Sequence, residues 1–151
     1  MIETVWLDKK TIAGLSARTG NKAPDMGKII GGLWKRLFEE GVISDIQNRS
    51  NDRIIGLYSD YESDVSGEYD ITVGCEIDKE ENLPEGLVVK TIPAGSYARF
   101  VAQGDDVQAV SKLWQEIWSL PLDRTYTGDF EEYYTGPDGM PKEAHIYVAV
   151  K

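Results

Sequence analysis

Residues 26–38 read Met-Gly-Lys-Ile-Ile-Gly-Gly-Leu-Trp-Lys-Arg-Leu-Phe. Met26, Ile29, Ile30, Leu33, Trp34, Leu37 and Phe38 recur every three or four positions, so a helix collects them on one face. Eighty positions on, Leu113-Trp114 echoes Leu33-Trp34, inside a second run of Val107, Val110, Leu113, Trp114, Ile117 and Trp118 with the same spacing. Working outward, Thr11-Ile12 opens an apolar stretch through Gly14 and Leu15, and Thr91-Ile92 opens another through Tyr97. The chain therefore reads twice, with copies at about 1–80 and 81–151.

Strand signals follow each helix. Residues 53–58 and 69–77 follow the first and 130–135 and 145–150 the second, separated by turn-rich pieces at 59–67, 78–86 and 136–141. Each copy is strand, helix, strand, strand, too small to bury both faces alone. The expectation is an α+β fold in a single domain over 1–151. One antiparallel sheet carries the two main helices on one face, and a duplicated unit suggests a site where the copies meet.

The helix ends are legible too. Pro24 suits a first helical position, Asp25 the positive end of the dipole, and Gly41 a stop. Asp105 with Gln108 fits a capping box, and Pro121 ends the second helix. Gly31-Gly32 costs about 1 kcal/mol per glycine relative to alanine inside a helix. Close packing on the sheet would explain the pair, and a helix able to yield beside a ligand is the functional alternative.

Composition narrows the function. The 151 residues carry a net charge of −10, which opposes binding to a phosphate backbone. One cysteine excludes an internal disulfide, and neither a signal peptide nor an 18-residue apolar run occurs, so no membrane role is expected and a reducing cytoplasm is the natural setting. The chain has eight Tyr, four Trp and three Phe, several of them near acidic residues.

Most enzyme signatures are missing: no glycine-rich phosphate loop, no nucleophile elbow, no metal-ligand spacing, hence no cofactor or metal. His145, the one histidine, opens a strand and reads as a strand-end residue; Cys75 reads as buried filler. The informative segment is Gly128-Asp129-Phe130-Glu131-Glu132-Tyr133-Tyr134. In a strand, Glu131 and Tyr133 share one face and Phe130, Glu132 and Tyr134 the other, so one acid points to a covered side. Parity does not choose between them. An unpaired buried charge is costly, and either a tyrosine hydroxyl or an arginine holds the acid, or a bound organic cation neutralises it and stacks on the rings.

The succession Leu33-Trp34, Ile54-Ile55-Gly56-Leu57-Tyr58-Ser59-Asp60-Tyr61, Tyr69 through Gly74, Ile92 through Ala98, Trp114 and Phe130-Glu131-Glu132-Tyr133 resembles the GyrI-like family. Its members are small-molecule-binding domains, found also as effector-binding domains of AraC- and MerR-type activators. The resemblance implies a ligand cleft between the copies and, through the Phe-Glu-x-Tyr pattern, a ligand-binding role for Glu131. It also implies that Trp34 and Trp114 approach the cleft from the helices and that Tyr69, Tyr97 and Tyr133 line it from the sheet. Trp118, one turn after Trp114, is a further candidate, whereas Trp6 reads as packing at the first strand. Because that strand begins within a few residues of Met1, an added DNA-binding module and direct activation of transcription are not expected.

Three functions follow from this reading. The leading one is a stand-alone binding protein for flat, hydrophobic, cationic molecules. The alternative implied by enzymatic relatives is a hydrolase of cyclopropane-containing genotoxic compounds using Glu131 and Tyr133. The third is a protein-interaction role, with DNA gyrase or a separate regulator as partner.

Overall fold

A computed structural model describes residues 3–20, 24, 26–39, 46, 53–62, 67–79, 83, 85–103, 107–125, 128–135 and 141–151. In chain order they form β1 (Glu3–Leu7), β2 (Lys10–Gly20), α1 (Met26–Glu39), β3 (Ile54–Ser59), β4 (Glu68–Glu76), β5 (Val88–Ile92), β6 (Gly95–Gln103), α2 (Val107–Ser119), β7 (Asp129–Thr135) and β8 (Pro141–Ala149). The fold is α+β, as expected. All eight strands join one antiparallel sheet in the order β1-β6-β8-β7-β3-β4-β2-β5.

That order forces the sheet to curl. β1 and β2 lie six strands apart, which in a flat sheet is ~29 Å at ~4.8 Å per strand, yet only Asp8 and Lys9 connect them. Three residue steps reach at most about 10 Å. β5 and β6 pose the same demand through Pro93 and Ala94. The sheet therefore bends into a half-barrel around Ile12, Ile55, Leu57, Ile92, Tyr97 and Phe130, with Val5 and Leu7 packed against them.

The duplication is visible in the register. Adding 85 to residue numbers in β1 and β2 (Gly95 against Lys10), 75 in β3 and 73 in β4 carries one half of the sheet onto the other. Ile12↔Glu76 becomes Tyr97↔Ala149, Gly56↔Val73 becomes Glu131↔Ile146, and Thr11↔Thr91 becomes Ser96↔Trp6. Thr11 and Thr91, expected to be equivalent strand starts, are instead paired with each other, and the stretch from Thr91 to Tyr97 is a bent strand with its corner at Pro93-Ala94. The offset of eighty holds only in the helices, because β6 reaches α2 in fewer residues than β2 reaches α1.

Both helices pack through the residues their spacing selects. Leu33 and Leu37 of α1 are buried against Leu15, Ile71 and Val73, and Trp114 and Ile117 of α2 against Ala98, Ile146 and Val148. Pro24 lies in a turn before α1, and α2 stops two residues short of Pro121. Asp25, Gly41 and Asp105 lie outside the described residues, as does the side chain of Gln108. Cys75 is buried filler beside Ala13 and Ile77.

Two packing expectations are corrected. Trp6 is 68 % exposed, because alternation on β1 turns Val5 and Leu7 to the core and Trp6 to the other side. Gly31 and Gly32 are exposed and do not pack on the sheet; a Cβ on either meets nothing within 4 Å. Gly14 and Gly74 are the opposite case. They face each other across β2 and β4, where a Cβ on Gly14 would lie 2.1 Å from the Val73 carbonyl oxygen.

These contrasts set opposite expectations for the same type of substitution. Gly32→Ala should stabilise by about 1 kcal/mol, since helix propensity improves in open space. Gly14→Ala should destabilise at or above the upper end of the roughly 1–3 kcal/mol range for overpacking, since backbone must move. Urea unfolding of both variants against the parent checks the pair.

Candidate functional site

β3 and β7 meet at the centre of the sheet, where Gly56 pairs with Glu131. Alternation along β7 sends Asp129, Glu131 and Tyr133 to the helix side and Phe130, Glu132 and Tyr134 into the half-barrel. The acid toward the helices is thus Glu131. It is 4 % exposed. Glu132 is buried too, on the other face, where Tyr134 Oη donates to it at 2.6 Å and Arg53 Nη1 lies 3.4 Å away.

Three uncharged donors hold Glu131. Tyr133 Oη donates to Oε1 at 2.6 Å; Tyr58 Oη, at 3.0 Å, and Trp114 Nε1, at 2.5 Å, donate to Oε2. Among the described residues no cation pairs with it. Both neighbouring acids on the strand do have one: Asp129 takes Arg124 Nη2 at 2.6 Å, and Glu132 takes Arg53. Of the two ways of holding the acid left open by the sequence, the tyrosine hydroxyl is the one observed.

The electrostatics follow. Burial pushes the Glu131 carboxyl above its ordinary value of 4.5, and the three donors oppose that rise without cancelling it. Tyr58 and Tyr133 are raised well above 10, first by burial and then by the charge of Glu131, so both phenols stay protonated and able to donate. Tyr69 is pushed up to about 12 by burial and Glu131.

The site inherits the two-fold pattern of the sheet. The β3 offset maps Tyr58 onto Tyr133 and Gly56 onto Glu131, and the helices place Trp34 and Trp114 at matching points. Trp34 meets Tyr133 edge to face at 5.3 Å and 83°; its mate Trp114 meets Tyr58 at 5.5 Å and 74°. Two like Trp–Tyr pairs therefore flank one carboxylate. Gly56 leaves room at the axis for the Trp34 ring and the Glu131 carboxyl: a Cβ there would lie 3.1 Å from Trp34 Cζ2 and 3.3 Å from Glu131 Oε1.

Of the residues expected to surround Glu131, the structure brings Trp114 and Tyr133 into direct contact with it and places Trp34 beside Tyr133. Tyr69 is buried against Tyr58 at 5.3 Å. Trp118 is 46 % exposed and stands 6.5 Å from the Trp114 ring, at the outer end of the row. Tyr97 is a correction. It is the register mate of Ile12, points into the half-barrel against Phe130, and donates its hydroxyl to the Pro93 carbonyl at 2.6 Å. His145 is another: it lies inside β8, buried among Tyr134, Tyr147 and Arg99, rather than at a strand end. Sequence reasoning missed Tyr58 and Gly56, whose signal was the Gly56-Leu57-Tyr58 and Glu131-Glu132-Tyr133 spacing.

The raised pKa of Glu131 gives a test. A carboxyl whose pKa is higher folded than unfolded holds its proton more tightly in the native state. Its contribution is therefore present below the ordinary value of 4.5 and is lost as pH rises through the folded value. Glu131→Gln, which cannot ionise, should gain stability relative to the parent as pH rises above 4.5, with a smaller difference in acid. Parallel pH series of urea unfolding free energy check this; a difference independent of pH would contradict the assignment.

The model of the Cass2 family, described as "Integron-associated effector binding protein", matches residues 3–150. The putative transcriptional regulator protein YobU of Bacillus subtilis (strain 168) is 37 % identical over 153 residues, covering 96 % of this chain and 94 % of the relative. The Cass2 integron cassette protein from the mobile metagenome of Vibrio cholerae shares the fold at a TM-score of 0.78 and 28 % identity, over 99 % of this chain and 95 % of that one. SAV2435, solved bound to tetraphenylphosphonium, superposes at a TM-score of 0.80 and 23 % identity, over 100 % and 94 % of the two chains.

Proposed function

The chain belongs to the Cass2 family of integron-associated effector binding proteins, and on that premise we propose that the seam between its halves binds flat, hydrophobic, cationic small molecules. The observation that carries this reading is the solitary charge of Glu131. Three acids stand within four residues of β7, and among the described residues only the one between the two helices lacks a cationic partner. Removing such a group from water is expensive, and neutral donors offset only part of the cost, as its raised pKa reflects.

A lipophilic cation completes that arrangement. Its charge offsets the carboxylate, and its rings meet Trp34, Trp114, Tyr58 and Tyr133, each cation–aromatic contact contributing about 0.5–2 kcal/mol according to desolvation. Tyr69 lies behind Tyr58 as support and Trp118 stands at the rim. That SAV2435, of the same fold, was solved with tetraphenylphosphonium supports the choice of ligand class. Where the pH is low enough to protonate Glu131, binding the cation requires release of that proton, so acid competes with the cation.

Isothermal titration with tetraphenylphosphonium tests the reading. Affinity should weaken about tenfold per pH unit below the acidity constant of the free Glu131 carboxyl. Glu131→Gln should bind at least tenfold more weakly at pH 8 and show no such pH dependence. Equal affinity of parent and variant at pH 8 overturns the electrostatic reading.

A further inference from the structure

Resting on the reading just given, we infer that the site takes a particular shape of cation: one central charge carrying two aromatic arms related by a two-fold axis. The register offsets of the sheet place that axis between Gly56 and Glu131, the pair at the middle of the β3–β7 ladder. The four rings nearest the carboxylate come in mates across it. Trp34 with Tyr133 and Trp114 with Tyr58 are edge-to-face pairs of near-identical geometry, 5.3 Å and 83° against 5.5 Å and 74°. The two tyrosines donate to different oxygens of the one carboxylate. Two features break the pattern: the axial position, with an acid on one strand and no side chain on the other, and the indoles, of which Trp114 donates to Glu131 while Trp34 lies against Gly56.

Geometry of this kind rewards a ligand with the same symmetry. A charge on the axis lies over Glu131, one arm reaches the indole of α1, and the other the indole of α2. A single-armed cation satisfies the carboxylate but uses one indole at a time. It can use either, because the two flanks are alike.

Three quaternary ammonium ions separate these ideas by calorimetry on the full chain: benzyltrimethylammonium, dibenzyldimethylammonium and benzylheptyldimethylammonium. The last matches the two-armed ion in carbon count but has one ring. The dibenzyl ion should bind at least tenfold tighter than the benzyltrimethyl ion and at least threefold tighter than the heptyl ion. Trp34→Leu should cost the dibenzyl ion about tenfold and the benzyltrimethyl ion less than threefold, since the latter moves to Trp114. Trp34→Phe, which keeps a ring in place, should show the same preference in milder form and serves if Trp34→Leu does not fold. Equal affinity of the dibenzyl and heptyl ions, or equal losses for one-armed and two-armed ions in Trp34→Leu, overturns the two-armed assignment alone. If none of the three, nor tetraphenylphosphonium, binds the parent, the cation-binding reading falls with it.

Discussion

A carboxylate taken out of water and held, among the described residues, by neutral donors alone is the constraint around which this protein is arranged. Glu131 is buried at the central ladder of the sheet, and its three donors come from three different elements: Tyr58 from β3, Trp114 from α2 and Tyr133 from its own strand. No local segment could assemble that set. It requires the two halves to be docked in one register and α2 to lie at one height over the sheet. The curl imposed by the two-residue corners at Asp8-Lys9 and Pro93-Ala94 locks that docking, since each half lends its outermost strand to the other.

Duplication explains both the symmetry of the site and its single flaw. A repeated unit brings two copies of every residue to the axis, and for aromatic side chains that is an advantage. For a buried acid it is not: two carboxylates facing each other across a ladder repel, and one would be forced to stay protonated. Gly56 is the resolution seen here. It removes the second side chain where a Cβ would already crowd both Trp34 and the Glu131 oxygen.

What the sequence made legible depended on whether the signal was local. Helical spacing located α1 and α2 and their buried faces, and the Phe130-Glu131-Glu132-Tyr133 pattern, with the resemblance it carried, selected Glu131. Parity alone could not choose between the acids because β7 is buried on both sides, so each has a covered environment. Tyr97 went astray for a different reason. It was placed at the cleft by the resemblance alone, and the register that makes it the mate of Ile12 and turns it into the half-barrel shows only in the paired sheet. Tyr58 escaped notice because its equivalence to Tyr133 needs a third offset, 75, which only the sheet register shows. Trp6 and His145 were misread because burial on an edge strand or within a long strand depends on what curls over it, and that is a tertiary fact.

β7 is its own control experiment. Asp129, two residues away on the same face, is fully buried and fully served: Arg124 and Tyr61 Oη each at 2.6 Å and the Ala149 amide at 2.8 Å. Glu132, on the reverse face, has Arg53, whose guanidinium also lies 4.6 Å over the Tyr134 ring. The scaffold therefore supplies arginine to buried acids on either side of this strand. An arginine at the axis would satisfy Glu131 better than two phenols and an indole do, since charge-assisted pairs are the stronger bonds. It would also fill the seam permanently and cancel the one charge that distinguishes it. The unfilled valence of Glu131 is thus a property of the site rather than a shortage in the fold. The aromatic rings around it are the walls that the proposed cationic ligand would meet.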